Sequence, residues 1–101
     1  MRVYLINQIN TNLFKIGITK KNPLERLKEL KIGNANELVL IVDFQTKHSF
    51  KLERSLHAYY SQYKISSEWF ELNEIDDFLD VCEKLEKNLD LLKSNPFYSK
   101  I

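Results

Sequence analysis

Residues 2–19 read Arg2-Val3-Tyr4-Leu5-Ile6-Asn7-Gln8-Ile9-Asn10-Thr11-Asn12-Leu13-Phe14-Lys15-Ile16-Gly17-Ile18-Thr19, and this stretch decides the fold. Two β-rich runs, 2–7 and 13–19, flank the polar Gln8-Ile9-Asn10-Thr11-Asn12, which has the composition of a hairpin connection. The chain therefore opens as an antiparallel pair. Asn22-Pro23-Leu24-Glu25 follows, with Asn22 suited to cap a helix, Pro23 to its first position and Glu25 to reach back to the cap. Leu24, Leu27 and Leu30 mark the buried face of that helix, and Gly33-Asn34 ends it.

Beyond the first helix, Leu38-Val39-Leu40-Ile41-Val42-Asp43-Phe44 is a continuous apolar run, which predicts a strand buried on both faces. From about 46 to 63, Leu52, Leu56, Tyr59 and Tyr63 recur at helical spacing, with Phe50 and Tyr60 nearby. Glu68-Trp69-Phe70-Glu71-Leu72 reads as a short aromatic strand. Asn73 then caps a last helix, about 74–93, whose Ile75, Phe78, Leu79, Cys82, Leu85, Leu89 and Leu92 keep a three/four rhythm until Asn95-Pro96. The order β-β-α-β-α-β-α predicts a small α/β (α+β) sandwich of two or three layers around a mostly antiparallel sheet. Residues 1–93 form one domain and 94–101 a short tail.

A chain of 101 residues, 44% apolar and 29% charged, is one thin-cored domain whose site must be assembled from few elements. Its single cysteine, Cys82, excludes an internal disulfide and sits on an apolar helix face, where it packs. No apolar run approaches a membrane span, and the amino terminus lacks the pattern of a secretion signal, so a cytoplasmic location with no membrane partner is expected. The net charge is only +1, but its distribution is lopsided. Residues 14–31 carry Lys15, Lys20, Lys21, Arg26, Lys28 and Lys31 against two acids, while residues 68–90 carry nine acids against Lys84 and Lys87. One end suits phosphates and the other faces away. Two ordinary solvated helix faces of opposite sign would look the same.

Four pieces stand in order: Val3-Tyr4 with Lys15-Ile16-Gly17, Pro23-Leu24-Glu25-Arg26-Leu27-Lys28-Glu29-Leu30, Glu53-Arg54-Ser55-Leu56-His57, and Glu68-Trp69-Phe70. Over residues 2–72 this resembles the GIY-YIG nuclease superfamily, in the branch whose second motif reads K-I-G. Arg2 stands where that superfamily has glycine, Leu5 follows the tyrosine, and Lys15 replaces a second tyrosine. The resemblance implies a GIY-YIG-like fold and endonucleolytic hydrolysis of nucleic acid, DNA more than RNA. It assigns Tyr4 to deprotonating water, Arg26 to neutralising the transition state and Glu53 to holding Mg2+ or Mn2+. Gly17, Glu68 and Trp69 would shape the site.

The residue types suit that chemistry. One carboxylate suffices for magnesium, which keeps most of its waters and takes other ligands from phosphate. Arg26 offers a planar fork matched to phosphate. A tyrosine is a weak base, with an ordinary pKa of about 10, so Lys15 beside Tyr4 would have to favour the phenolate. Alternatively, water acidified by the metal needs no such base and Lys15 only orients Tyr4. Glu53 and His57 share a helical stripe, where His57 can orient phosphate, donate to Tyr4 or assist the leaving group. Lys20, Lys21 and Lys28 are candidate backbone contacts, which give affinity without sequence choice.

Each residue also has a plain structural reading. Tyr4 alone would be a packed strand aromatic, Glu53 a surface acid near Lys51 or Arg54, Arg26 a partner of Glu29 or Glu53, and His57 a hydrogen-bonded structural histidine. Trp69 and Phe70 read more readily as core than as base-stacking residues. Two alternatives to a nuclease therefore remain: a catalytically inactive nucleic-acid-binding module, and a protein-interaction domain using the acidic last helix. With one helix after residue 72, the expectation is a nonstringent or structure-directed nuclease, a homodimer whose paired sites cut two strands, or targeting by a separate protein. A phage or mobile-element origin, or a repair or restriction role, would fit.

Overall fold

The computed structural model describes residues 1–31 and 37–93. Its strands are β1 (Arg2–Gln8), β2 (Leu13–Thr19), β3 (Leu38–Gln45) and β4 (Trp69–Glu71); its helices are α1 (Pro23–Lys31), α2 (Ser49–Tyr59) and α3 (Phe78–Lys93), with a 3-10 turn at Ser61–Tyr63. All strand pairs are antiparallel and the sheet order is β3-β1-β2-β4. The result is the small α+β fold expected, in three layers.

The opening hairpin forms as its composition requires. Asn10 takes the left-handed conformation, φ 62°, that asparagine tolerates. Asn7 Nδ2 donates across the turn to the carbonyls of Thr11 and Leu13, at 3.1 and 3.0 Å. β1 and β2 occupy the middle of the sheet, so alternate side chains are buried on opposite faces. Val3, Leu5, Phe14 and Ile16 join Leu52, Leu56, Tyr60, Phe70, Phe78 and Cys82 beneath α2 and α3. Tyr4 and Ile6 join Leu27 and Leu38 beneath α1. Leu52 and Leu56 are fully buried, each worth roughly 1.5–3 kcal/mol relative to exposure.

Several expected details are corrected. β3 is an edge strand, with Val39 and Ile41 exposed. Its long apolar run has a different cause: the register with β1 shifts so that Leu5 faces Val42 and Ile6 faces Leu40, leaving Ile41 as an extra residue. Leu38 and Leu40 therefore face α1, whereas Val42 and Phe44 face the opposite core. On α1, Asn22 Oδ1 accepts the Leu24 N–H at 2.9 Å and Pro23 opens the helix, but Leu24 is exposed, leaving Leu27 as the buried anchor. Gly33 and Asn34 lie outside the described residues.

α2 starts at Ser49 rather than near 46, because the Thr46 hydroxyl donates to Glu86 and accepts the His48 N–H. Its apolar stripe continues from Leu52 and Leu56 to Tyr60, so Tyr59, Tyr63 and Phe50 are exposed. α3 begins at Phe78, four residues later than expected. The Asn73 side chain accepts instead from Asn12 Nδ2, at 3.1 Å, which ties the preceding loop to the hairpin. The expected stop at Asn95-Pro96 lies outside the described residues, among which no helix is long and apolar enough to cross a membrane.

Candidate functional site at the open edge of the second strand

β4 is only three residues long and covers β2 as far as Lys15. One further bond, from the Ile16 N–H to the Glu68 carbonyl at 3.1 Å, ends the ladder. The Ile16 carbonyl turns to α2 instead, accepting from His57 Nε2–H at 3.0 Å. His57 is held in that pose by an edge contact with the Phe70 ring, centroids 4.9 Å apart at 84°. Because His57 ties α2 to this uncovered edge, Glu53, one turn earlier, comes within electrostatic range of Lys15, Glu68 and Tyr4 across the sheet.

Tyr4 pairs with Gly17 across the hairpin, and both side-chain positions face α1. The phenol is fully buried and lies over the glycine: a Cβ at residue 17 would stand 2.4 Å from the hydroxyl oxygen. Gly17 is therefore a space requirement of Tyr4. Burial pushes the Tyr4 hydroxyl above its ordinary range, Arg26 in hydrogen-bonding reach pulls it back, and the Glu68 and Glu53 charges raise it further. The protonated phenol is the favoured form.

Lys15 is buried and ion-paired with Glu68, its ammonium 6.0 Å from the centre of the Trp69 ring. A buried lysine requires such a partner, and the aromatic face adds a second favourable contact. Glu53 differs. It is half-buried, and among the described residues it has no hydrogen bond or ion pair; burial raises its carboxyl above the usual range, with His57 and Lys15 opposing and Glu68 reinforcing the shift. It is the acid at this edge whose oxygens are uncommitted.

Arg26, on α1, divides its guanidinium between Tyr4 and Glu29, the latter at 3.0 Å. Glu29 also holds Lys21 at 2.5 Å. Lys20 and Lys28 are exposed and have no ion pair among the described residues. Tyr4, Gly17, Lys15, Glu68, Trp69, Arg26, Glu53 and His57 thus meet at one edge, while Lys20, Lys21 and Lys28 lie on the α1 side. Two residues near Glu53 are named in the sequence reading without a role at the site. Phe50 and Arg54, at helical spacing from Glu53 and His57, are both exposed. The available signal was Phe50 standing off the Leu52-Leu56 stripe.

No group of three or more His, Cys, Asp or Glu that could hold a metal occurs among the described residues, so a protein-built cage of the zinc or calcium type has no donors here. His57 already commits Nε2 to the backbone. A carboxylate such as Glu53, without a hydrogen bond among the described residues, has the donor chemistry that fits a hard ion keeping its own waters.

A family model described as the T5orf172 domain matches residues 1–86. This family is distinct from the GIY-YIG superfamily, so the assignment drawn from the sequence motifs is corrected. Each motif is only two to eight residues long, and much of each serves strand packing or helix periodicity. No curated protein and no solved structure matches the chain.

Proposed function

From the premise that the chain belongs to the T5orf172 domain family, which supports a nucleic-acid-related function, we propose that it is a metal-dependent endonuclease acting on DNA. The observation that carries this reading is Glu53: a half-buried carboxylate with no hydrogen bond among the described residues, within electrostatic range of a buried tyrosine and a tethered lysine. Glu53 would hold one Mg2+ or Mn2+ ion. When bound, such an ion polarises the phosphate oxygens and offsets the charge that builds on the leaving oxygen.

The chain's own groups supply positioning. Arg26 presents a fork to phosphate and needs only to exchange its Glu29 contact, which is partly exposed and weakly held. Tyr4, kept protonated by burial, acts as an O–H donor that orients the phosphate or the attacking water. Lys15 fixes Glu68 at the mouth of the site, and His57 fixes α2. Lys20, Lys21 and Lys28 add salt-sensitive backbone affinity. One observation favours a second reading, a binding module without catalysis: the protonated Tyr4 leaves no side-chain phenolate to act as base.

Labelled single- and double-stranded DNA and RNA, incubated with Mg2+ or Mn2+, separate the readings. The nuclease reading expects cutting that chelator abolishes and that Glu53→Ala removes without loss of DNA binding. Binding without cutting under every metal condition would replace it with the silent module.

A further inference from the structure

At the other end of α2, away from Glu53, a cavity of about 500 Å³ opens between the 3-10 turn and the loop before α3. Tyr59, Tyr60 and Tyr63 line one side; Asn73, Glu74 and Asp77 line the other. The Tyr59 and Tyr60 rings meet at 76° with centroids 4.8 Å apart, an aromatic corner. Tyr60 is braced from behind by Phe78, stacked at 6.1 Å and 20°. Tyr59 and Tyr63 remain about half exposed. The Tyr60 hydroxyl is buried and has no hydrogen-bond partner among the described residues, an arrangement that normally costs about 1–3 kcal/mol and calls for an explanation.

We propose that this cavity is a binding site for an arginine side chain of a protein partner. The chemistry is specific. The π faces of tyrosines attract a guanidinium, Glu74 and Asp77 offer carboxylates matched to its planar fork, and the unpartnered Tyr60 oxygen can accept one of its N–H groups. A phosphate-bearing ligand is disfavoured here, because residues 68–90 carry nine acids against two lysines. The same field draws in a basic partner. This surface is separate from the Glu53 edge and does not depend on the activity proposed there.

The test is an NMR titration of the 101-residue protein with N-acetyl-arginine amide, N-acetyl-lysine amide and adenosine monophosphate, in low salt. The arginine probe should shift the amides of Tyr59, Tyr63 and Asn73 more than the lysine probe, and the nucleotide should leave them unmoved. An arginine-containing peptide should bind more tightly than the free probe, separating a partner protein from a small amine as the source. Tyr63→Leu and Asp77→Asn change exposed residues, so both variants should keep the native spectrum while weakening arginine binding about three- to fivefold. Stronger shifts with the nucleotide, equal binding by both variants, or no shift with any probe would overturn the proposal.

Discussion

The Tyr4 hydroxyl occupies the space in which a side chain at Gly17 would begin: a Cβ there would lie 2.4 Å from the oxygen and 2.5 Å from the adjoining ring carbon. The two residues are cross-strand partners on central strands, so neither backbone can move away without breaking the sheet. Gly17→Ala should cost about 1–3 kcal/mol through overpacking. Denaturant unfolding measures it. Tyr4→Phe should not rescue the variant, because the ring carbon clashes as well as the oxygen.

Glu53 should oppose folding in the absence of a cation. Its folded-state pKa is raised by burial, so the native state prefers the protonated acid, and stability falls as pH rises through the ordinary carboxylate range towards the raised value. Glu53→Gln should therefore melt above wild type at neutral pH, with the gap closing in acid. Added Mg2+ should raise the wild-type melting temperature and leave the variant unchanged, a readout independent of cleavage. A variant less stable than wild type at neutral pH would contradict this account.

Lys15 and Glu68 form a pair in which one member is buried and the other partly exposed. Glu68→Gln removes the lysine's ion-pair partner and should destabilise by about 1–3 kcal/mol, less than a fully buried pair because water reaches the Glu68 side and Glu53 stays within electrostatic range. Lys15→Met together with Glu68→Gln should recover much of that loss. A double-mutant cycle by chemical denaturation checks the coupling, and additive losses would argue against it.

His57→Phe should keep the apolar contact with Phe70 while removing the bond to the Ile16 carbonyl. The expected loss is about 1–3 kcal/mol, the penalty for stranding a backbone acceptor. Amide exchange should quicken along Ile16–Thr19 before the rest of β2. If cleavage by this variant falls only as far as its stability does, His57 is a positioning residue.

The hairpin, the start of α1 and the Glu53–His57 spacing could be read from local chemistry, because each depends on neighbours a few residues apart. Asn22-Pro23 carries its own helix signal, and two residues four apart on a helix must share a face. The family assignment misled because much of each short motif is also what strand packing or helix periodicity requires, as Ile16 in the sheet core and Leu27 and Leu56 beneath their helices show. Other misses were tertiary. Nothing near Asn73 announces that its side chain accepts from Asn12, 61 residues away. Tyr59 and Tyr60 are equally apolar in sequence, and only the packing of α3 chooses Tyr60. Lys15 was expected to act on Tyr4, but Glu68 claims its charge and Arg26 takes the neighbouring role.

The extra residue at Ile41 gives β3 a change of phase halfway along its length. Before it, the even-numbered side chains serve the core under α1; after it, even-numbered side chains serve the core under α2 and α3. Removing Ile41 alone would leave a strand of unbroken alternation in which Leu38 and Leu40 still face α1 and Val42 and Phe44 still face the opposite core. Such a chain keeps all four side chains in their cores and loses only an exposed residue, so the deletion of Ile41 should be better tolerated than most substitutions inside either core, whereas deleting Leu40 or Val42 should not.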